Sequence, residues 1–245
     1  MIKAAIFDMD GTILNTLDDL TDAVNYAMEQ AGHRHDYTAR HTQAFFGSGA
    51  RVALTRALYY EKGMALRELE FVGTDSFTVD DETERETMRV LRVFQGYYPS
   101  HSEIKTRPYD GINDAVRELR EKGILTAVVS NKMDEAVQGL CVKYFDGLFD
   151  VAVGENEPHV KRKPAPDMTR KAMEIMGVTA DEAVYIGDSE IDMQTAENSG
   201  LDCVSVAWGF RSREFLESHG AGTIIDGVHE LKDAILNIKR GKSNG

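Results

Sequence analysis

The sequence predicts an α/β protein, a doubly wound parallel sheet interrupted after its first strand by an inserted helical segment. Three observations predict it. From about Tyr109 onward apolar strands alternate with amphipathic helices; from about Thr16 to Ser102 that rhythm lapses and helical stripes replace it; short polar clusters stand where strands end or helices begin. At 245 residues the chain can bury a full core and still carry a second, smaller module.

The elements follow in order. Ala4, Ala5, Ile6 and Phe7 read as a buried strand feeding the turn Asp8-Met9-Asp10-Gly11-Thr12, and a period of two points Asp8 and Asp10 to the same side. Two carboxylates held close demand a cation or a shared proton. Leu17, Leu20, Val24, Ala27, Met28 and Ala31 form one helical stripe, and residues 80–98 form another amphipathic helix with a charged outer face. No convincing strand lies between them. Ile112, Ala115, Val116 and Leu119 recur at helical spacing and stop at Gly123, a good residue just past a helix end. Residues 124–130 and 151–155 then read as strands, with Asp134 as the cap of the helix between them. A helix over 165–177, a strand over 183–188, a helix over 192–200 and a strand over 203–208 continue the alternation. The expected division is a core of residues 1–15 and 103–245 around a helical insert of residues 16–102.

Forty-one acidic against 28 basic residues give a net charge of −13, which argues against nucleic acid and an anionic membrane as partners. Cys141 and Cys203 form no short-spaced pair and read as reduced thiols, and Met1 leads directly into the first strand without a leader. No stretch approaches the roughly 20 apolar residues of a membrane span, so a cytoplasmic protein is expected.

In an open parallel sheet, ligands bind beyond the carboxyl ends of the strands. Four clusters fall there: 8–12, Ser130-Asn131-Lys132, Lys163-Pro164-Ala165-Pro166, and Gly187-Asp188-Ser189-Glu190-Ile191-Asp192. Three of them have a plain alternative. The first could be an Asx turn, residues 161–163 a solvated basic loop, and Asp188 and Asp192 acids favouring a helix N-terminus. It is the combination, in this order, that argues for a site.

On these residues the chain resembles the haloacid dehalogenase superfamily of aspartate-nucleophile phosphohydrolases. Asp8 to Thr12 match its D-x-D-G-T opening, Ser130 its second-strand hydroxyl, Lys163 its lysine, and Gly187 to Asp192 its G-D-x-x-x-D element. The resemblance implies a Rossmann-like core with a C1-type helical cap. Within the superfamily K-P-x-P, "VAWGFR" (206–211) and "FFGSGARVAL" (45–54) look most like the phosphoglycolate phosphatase branch.

The implied activity is a Mg²⁺-dependent phosphomonoesterase working through an aspartyl-phosphate on a small phosphorylated metabolite, with 2-phosphoglycolate favoured. A phosphate monoester is a dianion that would repel a bare carboxylate, so Mg²⁺ is the expected cofactor. Asp8 would be the nucleophile, Asp10 the acid and base, and Lys163 the positive charge on the transferring group. Ser130 and the backbone amide of Asn131 would be neutral phosphate donors. The metal would take Asp8, the carbonyl of Asp10 and Asp188, with Asp192 behind them. Glu190 adds an acid that either tightens the metal site or faces water.

The segment 47–51 is either an interhelical turn or a cap loop in which Gly49 allows close approach and Arg51 takes a substrate carboxylate. His33, His35 and His41 read as surface residues rather than a zinc site, and Trp208 and Phe210 as packing residues. A sugar-phosphate mutase is the nearest rival, and the insert's basic residues Arg40, Arg51 and Arg56 do not decide it. An inorganic pyrophosphatase and a catalytically silent phosphoprotein-binding domain are further alternatives. The expected oligomeric state is a monomer or homodimer.

Overall fold

Ala4, Ala5, Ile6 and Phe7 are all fully buried, as the central strand of a sheet covered on both faces must be. The computed structural model describes residues 1–74, 76–156 and 159–238. In it the chain runs β1 (Ala4–Phe7), β2 (Leu14–Asn15), α1 (Leu17–Gln30), α2 (Ala39–Phe45), α3 (Ala50–Glu61), α4 (Asp81–His101) and β3 (Arg107–Pro108). It continues as α5 (Ile112–Glu121), β4 (Leu125–Met133), α6 (Asp134–Phe145), β5 (Val151–Glu155), α7 (Asp167–Met176), β6 (Ala183–Gly187) and α8 (Glu190–Ser199). The last elements are β7 (Asp202–Val206), α9 (Arg213–Ser218), β8 (Thr223–Ile225) and α10 (Leu231–Leu236). Two units result, Met1–Leu14 with Pro108–Gly245, and Asn15–Arg107.

The first unit holds a six-stranded sheet in the order β5-β4-β1-β6-β7-β8, every pair parallel. Numbering those strands along the chain gives 3-2-1-4-5-6, the Rossmann-like doubly wound order, whose direction reverses beside β1. Alternation along β1 separates two cores. Ala5 and Phe7 pack with α5, α6 and α10 through Ile112, Val116, Val137, Leu140, Leu231 and Ile235. Ala4 and Ile6 pack with α7 and α8 through Met168, Ala172 and Ala196.

Several boundaries differ from the sequence reading for local reasons. β4 runs on to Met133, and its pairing with β5 shifts register between Val129 and Met133, so the polar cluster 130–132 lies within the strand. Asp134 does not cap α6 but opens it, because its Oδ1 is taken by the backbone N–H of Gly154 at 2.7 Å. Only a glycine fits there, since a Cβ at residue 154 would lie 2.4 Å from the Asp134 Cα.

The second unit is helical, and a short 3-10 turn (Leu66–Phe71) is its only other regular element among the described residues besides single residues of β2 and β3. α3 escaped the sequence reading because residues 53–58 are all buried, so no apolar stripe separates from a polar one. Among them is Arg56, 1% exposed, whose guanidinium donates to the carbonyls of Phe45 (3.0 Å) and Val72 (3.2 Å) and to Ser48 Oγ (3.4 Å). Its position at the carboxyl end of α2 suits a cation. It is an internal brace rather than a free anion-gripping residue.

Asp19, in the first turn of α1, closes this unit. Its carboxylate accepts the backbone N–H groups of Lys105 (2.9 and 3.0 Å) and Thr106 (2.8 Å), while Lys105 Nζ reaches Asp22 at 2.6 Å. Removing the carboxylate strands the buried Thr106 N–H and frees that of Lys105, so Asp19→Ala is expected to cost the helical unit about 2 kcal/mol. The midpoint shift in urea denaturation followed by circular dichroism measures it.

Candidate active site

Asp8 directly follows β1 and shares parity with Ala4 and Ile6, so its side chain falls on the face covered by α7 and α8. Its N–H donates to the Ile186 carbonyl at 2.8 Å, which holds it in line with β6. From that face come Lys163, just before α7, and Asp192, the third residue of α8. Lys163 Nζ lies 2.6 Å from Asp8 Oδ1 and 2.8 Å from Asp192 Oδ1. All three side chains are buried. The exposed Lys161 and Arg162 take no part, so of the basic triplet only Lys163 enters the site.

Asp192 is saturated by protein donors. Its Oδ2 accepts the N–H groups of Asp188 (3.2 Å) and Ser189 (3.1 Å) and the Ser189 hydroxyl (2.7 Å), and its Oδ1 also takes the Tyr185 hydroxyl at 3.4 Å. This closeness requires Gly187, where a Cβ would stand 2.2 Å from the Asp192 Cβ. Asp188 lies at the end of β6 and points toward Asp8. Its Oδ2 accepts the Phe210 N–H at 2.6 Å, and its Oδ1 has only a long contact of 3.4 Å with the Thr12 hydroxyl.

Asp8, Asp188 and Asp192 each bring a carboxylate oxygen within 4.8 Å of the others. Burial, then the Asp192 charge, pushes the Asp8 carboxyl up to about 7 even though Lys163 opposes the shift. Burial, then Asp192 and Asp8, likewise raises Asp188 well above the usual carboxylate range. Burial alone would lower the Lys163 ammonium, but the two carboxylates outweigh it and hold it charged. One ammonium does not balance three buried acids, so the cluster suits a further cation. Because the donors around Asp192 already use both its oxygens, Asp8 Oδ2 and Asp188 Oδ1 are the oxygens left to bind one. The residues present fit a divalent ion, with Asp192 as the outer support that fixes Lys163 and the Asp188 backbone.

Asp10 lies two residues past Asp8, with Lys132 Nζ 3.0 Å from its Oδ1, an ion pair without hydrogen-bond alignment. Ser130 is buried and its Oγ accepts the Lys132 N–H at 3.2 Å. The Asn131 side chain does something the sequence did not suggest. Its amide clamps the backbone of Lys163, accepting the N–H at 2.7 Å and donating to the carbonyl at 3.2 Å, and so sets where the lysine starts.

Lys132 and the residues after β7 are further members that sequence reasoning missed. Lys132 stood in the quoted cluster, but nothing in spacing tied it to Asp10. Glu190 neither faces water freely nor joins the acid cluster, being paired with Arg211 (2.8 and 2.9 Å). Trp208 packs and also donates its indole N–H to the Thr12 carbonyl at 3.0 Å.

Gly49 and Arg51 belong to the helical unit. Gly49 precedes α3 with φ +88°, and Arg51, its side chain 61% exposed, pairs with Glu84 at 2.5 Å. His33 lies between Glu61 (2.8 Å) and Glu86 (2.7 Å) rather than in a cluster of metal ligands.

Lys163→Met leaves Asp8 and Asp192 buried without their shared cation. The metal-free variant is expected to lose about 3 kcal/mol of stability. A divalent cation should restore part of it, which thermal melts in EDTA and in excess Mg²⁺ measure.

Residues 5–206 match the family model of the haloacid dehalogenase-like hydrolases. The phosphoglycolate phosphatase of Pseudomonas putida is 27% identical over 229 residues, covering 94% of this chain and 78% of that one. Pyrophosphatase PpaX of Bacillus cereus is 24% identical over 241 residues, covering 98% and 99%. A crystal structure of a candidate phosphoglycolate phosphatase from Lactobacillus delbrueckii subsp. bulgaricus superposes with a TM-score of 0.91 at 53% identity, covering 95% of this chain and 98% of that one. No described helix is long and apolar enough to cross a membrane. With β1, β6 and the loop before α7 delivering Asp8, Asp188 and Lys163 to one buried cluster, the chain belongs to the haloacid dehalogenase-like hydrolases, is an enzyme of their phosphatase kind and resembles the phosphoglycolate phosphatase branch.

Proposed function

We propose that the protein is a Mg²⁺-dependent phosphomonoesterase of small phosphorylated metabolites, with 2-phosphoglycolate as its preferred substrate. The carrying observation is the Asp8 carboxylate, buried just past the end of the central strand, with Oδ1 on Lys163 and a carboxylate oxygen within 4.8 Å of those of Asp188 and Asp192. The names of the phosphoglycolate phosphatases among its relatives support the substrate.

Asp8 and Asp188 would hold the ion, with the Asp10 carbonyl as a further donor; when bound, Mg²⁺ compensates the charge between these acids and a phosphate dianion. Asp8 attacks phosphorus in line, the P–O bond to the leaving alcohol breaks, and an aspartyl-phosphate forms. Asp10 gives its proton to the departing oxygen. It then takes one from the water that attacks the same phosphorus, which frees inorganic phosphate and restores the Asp8 carboxylate. Asp10 Oδ1 is buried and carries no aligned hydrogen bond, with the Lys132 ammonium 3.0 Å away as its charged neighbour. Lys163, fixed by Asn131 and Asp192, places positive charge beside the transferring group.

A second reading, an inorganic pyrophosphatase, is favoured by the match to PpaX along 99% of that chain. The same steps then release phosphate as the leaving group. Phosphate release from 2-phosphoglycolate, pyrophosphate and an aryl phosphate at equal concentration separates the two: the proposal expects the highest kcat/KM on 2-phosphoglycolate, and preference for pyrophosphate would replace it. Asp8→Asn, which keeps shape but loses the nucleophile, is expected to lower kcat by at least about 10³-fold. EDTA should abolish release and Mg²⁺ restore it.

A further inference from the structure

Residues 208–211, between β7 and α9, form a short strap across the acid cluster, held at each position by a different contact. The Trp208 indole is tied to the Thr12 carbonyl. Gly209 lies so close that a Cβ would meet Asp188 Oδ2 at 2.3 Å and the Gly11 carbonyl at 2.4 Å. The Phe210 N–H is the donor on Asp188 Oδ2 at 2.6 Å. Arg211 ends the strap. Only 5% exposed, it makes a two-pronged pair with Glu190, Nε to Oε2 at 2.8 Å and an Nη to Oε1 at 2.9 Å, while its Cζ lies 4.9 Å from the Phe215 ring centre. Glu190 is the first residue of α8, where the helix N-terminus favours a carboxylate, and it stands two residues beyond Asp188.

We propose that the Arg211–Glu190 pair is a positioning device for the metal acid: it clamps the strap to the start of α8, so that the Phe210 N–H occupies Asp188 Oδ2 and leaves Oδ1 aimed at the ion. This rests on the reading of Asp188 as a Mg²⁺ ligand. A forked guanidinium–carboxylate pair fixes orientation as well as distance, which an ammonium on Glu190 would not. It links the two segments that carry Asp188 and its backbone donor. Neither residue is among those that would hold the ion.

A sign distinguishes positioning from simple charge. Arg211 is a positive charge near a cation site, so by Coulomb's law alone its removal tightens Mg²⁺ binding. A clamp predicts the reverse, because the strap loosens and Asp188 loses its fixed orientation. The test is Mg²⁺ titration of the intact protein by calorimetry, paralleled by the fluorescence of Trp208, the only tryptophan in the chain and itself part of the strap. Arg211→Gln, Arg211→Lys, Glu190→Gln and the Arg211→Gln/Glu190→Gln pair are compared with the parent, with melts in EDTA for each.

The expected result is a Mg²⁺ Kd raised about tenfold by Arg211→Gln, a change of the size outer supports of metal ligands produce. Arg211→Lys, which retains charge and loses the fork, should weaken binding as well. The double variant should be no worse than the worse single one, and the Mg²⁺-induced change in Trp208 emission should shrink. Unchanged or tighter binding by Arg211→Gln overturns the proposal, as does a lowered EDTA melting temperature with an unaltered Kd, the signature of a purely structural pair. If Arg211→Gln does not fold, the Kd values of Arg211→Lys and Glu190→Gln decide by the same criterion. Absence of Mg²⁺ binding by the parent protein would instead overturn the metal reading, and this inference with it.

Discussion

The site depends on one ammonium shared by two buried carboxylates. Lys163 stands between Asp8 and Asp192 and is the ammonium that pairs with both of these buried acids. Much of the surrounding structure reads as support for that arrangement. Asn131 fixes the lysine's backbone from β4, Ser189 and the Asp188 N–H fix Asp192 from the start of α8, and the parallel ladder to β6 fixes Asp8. The lysine offsets part of the negative charge. The remainder is the reason a divalent ion suits the cluster, and an ion bound there would offset the charge that otherwise repels a phosphate dianion.

Differences among the acids follow from their hydrogen bonds rather than from their type. Asp192 has both oxygens engaged by protein donors and so acts as scaffold. Asp188 has one oxygen fixed by a backbone N–H and the other nearly unclaimed. Asp8 keeps one oxygen beyond the lysine's reach, and Asp10 has an ammonium beside it without an aligned bond. In the proposed reaction four aspartates of one chemistry would thereby divide into support, ligand, nucleophile and proton carrier. That division is the physical content of the proposed reaction.

Much of this was legible in the sequence. The alternation after Tyr109 translates into the doubly wound sheet because each βα unit buries its own apolar face, and because the sheet is parallel three of the four polar clusters fall at the carboxyl ends of β1, β4 and β6, while the fourth lies in the loop before α7. Asp8 and Asp188 follow strands and Lys163 and Asp192 stand at the starts of helices, and all four meet on one side of the sheet. What could not be read was the contact between segments far apart in the chain. Nothing in spacing connects Arg211 to Glu190, Trp208 to Thr12 or the Asn131 amide to the Lys163 backbone. α3 was hidden by a continuous run of buried residues, and the three-residue β8 is too short to show a period. The role of Asp134 was misread because a local cap and a cross-strand acceptor have the same signature in one dimension.

The Asp19 carboxylate carries a consequence for how such a chain can be assembled. By receiving Lys105 and Thr106 at the very turn where α1 begins, it brings the entry and exit of a segment of more than eighty residues to a single locus. A segment whose ends meet burdens its host with little more than a loop closure, which grows only slowly with length. The helices between those ends are thus a cassette, open to replacement or redesign without redrawing the sheet that carries the chemistry.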